Sequence, residues 1–404
     1  MPRFCMITTF YPPYSFGGDA IFVRALSHAL AARGHQVDVI HCADSYRALR
    51  PRGHGVEYAA SAEPEGVTVH ELRSPFGTLS PLATQQTGHP MFKSAEIKRI
   101  LGSKSFDVIH FHNISLIGGP GLLRLGDAVK IYTIHEHWLL CPMHTLFRDN
   151  RELCTRKTCF SCALHYKRPP QIWRYGSLLA ESVRHVDAFL APTEFTRRIH
   201  LESGLPMQIR VLGSFHEQLE NVGEPAQARP FFLYAGRLEK LKGVEDLIEV
   251  FRTYPDADLW IAGEGADGQR LRALAQGLDH IRFLGHIERR SLATLYSNAT
   301  AVLVPSVAYE VFPLVILESF AAATPVIARN RGSLAEIVNA SQGGLLFDDR
   351  SELRGQLQRI QTEPDLRGNL GRSGHAAWRE RWTLNVHLDR YLSVVDELIV
   401  EKRR

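Results

Sequence analysis

Residues 3–42 read RFCMITTFYPPYSFGGDAIFVRALSHALAARGHQVDVIHC. Two apolar runs, RFCMITTF and QVDVIHC, bracket the helical stretch AIFVRALSHALAARG. A strand, a helix and a strand in that order, with strands that are almost continuously apolar, argue for a parallel sheet covered by helices on both faces. The alternation goes on through FDVIHFH (106–112), VKIYTIH (129–135) and DAFLAP (187–192). The first half of the chain therefore reads as doubly wound α/β.

From Gly213 to Pro230 the pattern lapses into GSFHEQLENVGEPAQARP, rich in glycine, proline and polar residues. It resumes with FFLYAG, DLWIAG, IRFLG, AVLVP and PVIAR. A linker followed by a second sheet of the same kind gives two Rossmann-like domains, 1–213 and 214–383, facing a cleft. The final stretch, LNVHLDRYLSVVDELIVEKRR (384–404), reads as a long amphipathic helix that packs back onto the first domain.

Composition agrees with this reading. A chain of 404 residues, 45% hydrophobic and 22% charged, has room for two or three domains at roughly 150 residues each. The net charge of +4 suits an anionic small molecule, an anionic membrane surface or weak nucleic-acid contact, and chooses among none of them. No apolar run reaches the length of about 18 residues that spans a bilayer. The opening MPRFCMITTF is too short, and too soon followed by YPPYSFGG, to read as a signal peptide. A cytoplasmic location is expected, where the six cysteines stay reduced.

In doubly wound sheets ligands bind beyond the carboxyl ends of the strands, so chemistry is sought in the loops that follow the apolar runs. After the first run, Gly17 and Gly18 let the backbone approach a ligand just before a helix opens near Asp19, although a tight turn would also want glycine there. After FFLYA, the loop GRLEKLKG carries Arg237 and Lys242 ahead of a helix. Two such cations suit a diphosphate: the guanidinium grips two oxygens and the ammonium acts as a point charge.

The segment YEVFPLVILESF (309–320) brackets an apolar run with Glu310 and Glu318, which a core segment has no need to do. With Pro313 in the first turn of a helix, Glu310 falls in the loop before it and Glu318 on its second turn. N–H groups around Phe312, Pro313 and Leu314 would then face phosphates, while Glu318 accepts from ribose hydroxyls. Glu310 would face whatever the diphosphate carries.

Together with FGG (16–18), TIH (133–135), AGRLEKLKG (235–243), AGEG (262–265), RFLG (282–285) and TPVIARNRGSLAEIV (324–338), these motifs resemble the retaining glycosyltransferase family four, nucleotide-sugar-dependent enzymes of the GT-B fold. The likeness runs over essentially the whole chain, and R-x4-K-G followed by E-x7-E is its most specific part. The resemblance implies that Arg237 and Lys242 bind the donor pyrophosphate, Glu318 the ribose and Glu310 the transferring sugar. It implies that His135, in the T-x-H position, approaches the donor sugar near its reacting carbon, that Gly17 and Gly18 line the diphosphate and acceptor side, and that Gly265 belongs to the nucleotide site. His110 and His112 read instead as satisfied strand-end histidines. Retention by front-face attack, and a role in making a polysaccharide, a glycolipid or a glycosylated metabolite, are implied in the same way. Fixed cations aimed at the departing diphosphate would do what a metal does in other transferases, so no catalytic metal or cofactor is expected beyond the nucleotide-diphosphate sugar itself.

Three other readings compete. GEGADG (263–268) with Glu288 is a literal G-x-G-x-x-G fingerprint of an NAD-dependent dehydrogenase, but it follows the second strand of its domain where a dinucleotide site uses the first. Asp256 and Asp258 imitate a D-x-D metal site, yet they precede their strand and so open at the wrong end of the sheet. Cys141, Cys154, Cys159 and Cys162 suggest a structural zinc that staples an inserted loop, with reduced thiols or a disulfide as alternatives. As a basic zinc module for nucleic acid they lack a reading motif, and no nucleic-acid partner is expected. The long segment 43–92, with Arg47, Arg50 and Arg52, is of the kind that faces the acceptor. A lipid-linked or small-molecule acceptor is expected, with peripheral contact at the anionic inner face of a membrane.

Overall fold

The computed structural model describes residues 1–50, 62–217 and 229–404, with Arg289 described by its backbone alone. Arg52 and the middle of the linker lie outside the described residues. The chain divides into two compact units. One comprises Met1–His144, Thr158–Leu212 and Leu388–Arg404, the other Thr145–Lys157 and Gly213–His387.

The first unit begins with β1 (Arg3–Ile7), β2 (Gln36–Cys42), β3 (Val67–Leu72), β4 (Val108–Phe111) and β5 (Val129–Thr133). After a small hairpin of β6 (Phe147–Arg148) and β7 (Glu152–Leu153), its sheet is completed by β8 (Ala188–Ala191) and β9 (Ile209–Val211). The strands lie in the order β3-β2-β1-β4-β5-β8-β9, every pair parallel. The second sheet uses β10 (Phe231–Ala235), β11 (Asp258–Ala262), β12 (Ile281–Gly285), β13 (Ala301–Val304), β14 (Val326–Arg329) and β15 (Gly344–Phe347). Its order is β12-β11-β10-β13-β14-β15, again all parallel. In both sheets the order reverses beside the first strand, at β1/β4 and at β10/β13, and a crevice opens at such a switch point.

Packing explains why these strands look uniformly apolar. Phe232 and Tyr234 of β10 join Leu247 and Phe251 of the helix Val244–Phe251 and Leu353 and Leu357 of the helix Arg350–Thr362. The alternate residues Phe231 and Leu233 join Ile316, Leu317 and Phe320 of the helix Leu314–Ala321 and Trp378 of the helix Pro364–Arg381. Successive side chains point to opposite faces of a strand, so burying both faces demands apolar residues at every position. On the first unit, Tyr391 of the C-terminal helix Leu384–Arg403 is buried, stacks on His110 at 5.3 Å and bonds its Nδ1 at 2.9 Å. Ion pairs of Arg210 with Glu397 at 2.5 Å and Lys402 with Asp187 at 2.8 Å fasten the same helix further along.

The cysteine expectation needs correction. Among the described residues, no group of three or more His, Cys, Asp or Glu is placed to hold a metal, and none of the six cysteines is in a disulfide. The loop that zinc was expected to pin closes by itself. Phe147 pairs with Leu153 across the β6–β7 hairpin, Arg151 N–H donates to the Arg148 carbonyl at 2.9 Å, and Asp149 and Asn150 between them both hold positive φ. That is the primed turn whose twist matches a hairpin. Cys141 and Cys159 lie near the buried guanidinium of Arg174, and Cys154 Sγ reaches the carbonyl of Arg156 at 3.6 Å.

Two glycines of the second unit test its packing. A β-carbon at Gly371, in the helix Pro364–Arg381, would run into the carbonyl oxygen of Ala323, whereas one at Gly355, in the helix Arg350–Thr362, would meet nothing within 4 Å. Helix propensity alone favours alanine over glycine by roughly 1 kcal/mol at either place. Gly355→Ala should therefore raise the melting temperature and Gly371→Ala should lower it. If both raise it in thermal unfolding, the close contact of that helix with Ala323 is wrong.

Candidate functional site

The site of the second unit is built on the switch point between β10 and β13. Past β10 the chain runs through Gly236 and Arg237 into a short turn of 3-10 helix, Lys240–Lys242. Past β13 it runs through Pro305 and Ser306 to Glu310. The two loops are joined: Val307 N–H donates to the Leu241 carbonyl at 2.9 Å, and Gly243, at φ 70°, lies so close to the Pro305 carbonyl that a β-carbon would collide with it. Lys242 and Glu310 meet across this junction, Nζ to Oε1 at 2.6 Å, both largely buried. Ser306 Oγ donates to the same Oε1 at 2.7 Å. Burial works to raise the Glu310 carboxyl, but the Lys242 charge and hydrogen bond, with Ser306 and the charge of Arg237, hold it below the ordinary glutamate value. Arg237 is far more open, its side chain 68% exposed and paired with Glu239 at 2.7 Å.

Three long-range partners hold this arrangement and were not visible in the sequence. Arg329, buried at the end of β14, donates through Nε to the Pro305 carbonyl at 3.1 Å and pairs with Asp246 at 2.5 Å. Arg331 Nη1 donates to the Val307 carbonyl. Tyr296, buried on the helix Arg289–Asn298, donates its hydroxyl to Oε2 of Glu318. Each joins residues more than twenty positions apart, a distance at which a side chain leaves no local pattern.

The helix after Glu310 spans Leu314–Ala321, with Pro313 as its cap residue rather than inside its first turn. Proline has no N–H, so of Phe312, Pro313 and Leu314 only the first and last can donate; the Phe312 ring packs against the core below. Glu318 is on the second turn. The first two glycines of GEGADG have a steric reason. A β-carbon at Gly263 would strike the Gly236 carbonyl, and one at Gly265 the backbone of Leu238, while Leu238 N–H bonds the Glu264 carbonyl at 2.9 Å. They let one loop back the other, which accounts for the apparent dinucleotide fingerprint. Asp258 opens β11 and pairs with Arg229 at 3.0 Å and Arg282 at 3.5 Å, at the end of the sheet away from this site.

In the first unit, Gly17 caps the helix Gly18–Ala32 in extended conformation, and a β-carbon there would meet only Asp19 Oδ1 at 3.9 Å. A tight turn is thus not what asks for glycine at 17. Asn113 Nδ2 reaches Asp19 Oδ2 at 3.3 Å, and burial together with the charge of Glu136 pushes the Asp19 carboxyl up. His135, just past β5, bonds through Nε2 to Nδ1 of His112 at 3.0 Å and meets the edge of Phe22 at 4.9 Å. His110 bonds Thr133 Oγ1 at 2.8 Å and packs its ring 4.0 Å from that of His112. Gly17, Gly18 and His135 belong to the first unit; Arg237, Lys242, Gly265, Glu310, Phe312, Pro313, Leu314 and Glu318 belong to the second.

Comparison with known proteins accounts for both units. Residues 16–215 match the family model Glycosyltransferase Family 4, and residues 216–376 match Glycosyl transferases group 1. The chain is 30% identical over 374 residues to a glycogen synthase of Mycobacterium tuberculosis, covering 85% of this chain and 81% of that one. It is 28% identical over 414 residues to a D-inositol 3-phosphate glycosyltransferase of Arthrobacter sp., covering 96% and 92%. Its fold is similar to that of the Anabaena protein HepE, solved in complex with UDP, with a TM-score of 0.68 at 16% identity over 98% of this chain and 100% of that one. Sequence, fold and motif order agree, and the chain belongs to the family four glycosyltransferases, enzymes of the GT-B fold that act on nucleotide sugars.

Proposed function

We propose that this chain is a retaining hexosyltransferase whose second unit takes the nucleotide-diphosphate sugar and whose first unit, with the helix from about residue 384 onward, serves the acceptor. The observation that carries the reading is the Lys242–Glu310 pair at the β10/β13 switch point. An ammonium has three N–H donors and Glu310 takes one, so Lys242 is held in place with donors left for phosphate oxygens. Both Lys242 and Ser306 bond Oε1 of Glu310, which turns Oε2 toward a hydroxyl of the transferring sugar. Arg237 adds a second cation, and Glu318, oriented by Tyr296, accepts from the ribose. Phe312 and Leu314 offer backbone N–H groups beside the Pro313 cap, and Gly265 keeps the loop behind Arg237 close.

The chemistry follows from charge. As the bond from the anomeric carbon to the diphosphate oxygen breaks, negative charge grows on the leaving group, and fixed cations aimed at it lower the barrier. The acceptor hydroxyl adds to the same face of that carbon and gives its proton to the departing phosphate oxygen, which preserves the anomeric configuration. His135, steadied by His112 and Phe22, supports the sugar near its reacting carbon. Gly17 and Gly18 keep the start of their helix open to the diphosphate and acceptor. The relative named for inositol 3-phosphate supports a small-molecule or lipid-linked acceptor, and the UDP complex of HepE makes UDP the first nucleotide to try. A thermal-shift panel of nucleoside diphosphates and their sugars identifies the donor, because a ligand of the folded state raises its apparent stability.

With the donor in hand, Lys242→Ala and Arg237→Ala should each lower kcat on the order of 100-fold or more; the melting temperature should stay within a degree or so of the parent for the exposed Arg237 and fall for Lys242, whose loss leaves the Glu310 carboxylate buried and unpaired. Near-normal turnover in either variant would contradict the clamp. Glu318→Ala should weaken binding of bare nucleoside diphosphate measured by calorimetry more than Glu310→Ala does, whereas Glu310→Ala should weaken chiefly the sugar-bearing donor. Equal losses for the bare nucleotide would show that the two carboxylates do not divide the ligand in this way.

A further inference from the structure

We infer that the first unit docks on an anionic lipid bilayer through an apolar face carried by the helix Leu79–Thr87 and the segments packed against it. The helix is inside out. Its Ser80 and Thr84 are fully buried, and both hydroxyls take hydrogen bonds of 3.1 Å from the ammonium of Lys93, itself 2% exposed. Its Leu79 is 61% exposed and its Leu82 46%. A helix that faces water places its polar residues outward, and burying an ammonium is costly unless it is hydrogen-bonded. This helix keeps Ser80 and Thr84 within and presents Leu79 and Leu82 outside.

The surroundings continue the same polarity. Phe76 and Phe92 pack ring to ring at 4.3 Å with half of each exposed, beside exposed Met91. The segment 169–175 is held alongside by Trp173 Nε1 donating to the Gln85 carbonyl at 2.9 Å and by Gln85 Nε2 donating to the Pro169 carbonyl at 2.9 Å. It adds Ile172 and Tyr175, each at least 60% exposed. Contiguous exposed apolar surface of this kind marks an interaction site.

Charge selects the partner. Residues 72–95 and 158–180 contain no aspartate or glutamate, and they bring Lys167 and Arg168 to the surface, while Arg73 at the edge is paired with Glu71. A second copy of the chain would set Lys167 and Arg168 against a surface equally poor in carboxylates, leaving these two cations unmatched. A bilayer supplies hydrocarbon for the leucines and phenylalanines and lipid phosphates for the cations, each worth about 1 kcal/mol near an anionic surface. No helix of the described residues is long and apolar enough to cross a membrane, so the contact is peripheral. The inference deepens the lipid-linked reading of the acceptor above, but its support is this surface.

The test is sedimentation of the purified full chain with vesicles of phosphatidylcholine alone and of phosphatidylcholine mixed with phosphatidylglycerol. The chain should partition onto the mixed vesicles and be released as salt rises. Leu79→Glu/Leu82→Glu, at exposed positions, should lose at least about ten-fold in partition while keeping its melting temperature and its affinity for nucleoside diphosphate. Partition of the parent chain no better than in a vesicle-free control, or equal partition of parent and variant, would overturn the inference. So would a concentration-dependent dimer in sedimentation velocity that the double variant abolishes, since a second copy would then cover the face. Nucleotide affinity is read separately, so a failure here leaves the transferase proposal standing, and the loss of that proposal leaves this result interpretable.

Discussion

The Lys242 ammonium and the Glu310 carboxylate stand 2.6 Å apart at the β10/β13 switch point of the second sheet, where the strand order reverses. Burying either charge alone would be costly, and breaking such a pair leaves its partner uncompensated. Their mutual presence therefore fixes both loops together. The loop after β10 cannot move without stranding Glu310, and the loop after β13 cannot move without stranding Lys242. Everything assigned to the donor in this unit is arranged around that contact.

The backbone is shaped to permit it. Gly243 allows the β10 loop to touch the Pro305 carbonyl, and Gly263 and Gly265 allow the loop after β11 to lie against Gly236 and Leu238 from behind. Arg329 and Arg331 then hold the carbonyls of Pro305 and Val307. Such preorganisation matters for an electrostatic catalyst, because donors and charges already in place need not reorganise as the leaving group gains charge.

Much of this was legible in the sequence, for identifiable reasons. Strands buried on both faces are apolar at every position, so FFLYA, DLWIA and AVLV announced a covered parallel sheet, and loops following them were the places to look for Arg237, Lys242 and Glu310. Contacts between distant side chains left no such trace: nothing local in VIAR says that its arginine will reach Pro305, nor that Tyr296 will meet Glu318. Cysteine spacing misled because the segment 148–157 has too little apolar content to look able to hold itself without a metal. Phe147 is buried, however, and Asp149 and Asn150 supply the positive φ values that close the hairpin. The helix LSPLATQQT escaped notice for a related reason, since its pattern is intelligible only once Lys93 is seen beneath it.

A double-mutant cycle on Lys242 and Glu310, read as the rate of nucleoside diphosphate release from the donor, tests the central claim most directly. If the two act as one unit, the losses of Lys242→Ala and Glu310→Ala will overlap in Lys242→Ala/Glu310→Ala, with a coupling of at least about 1 kcal/mol. Losses that add to within about 0.5 kcal/mol would mean that the two residues act independently and that the pair is not what organises the site.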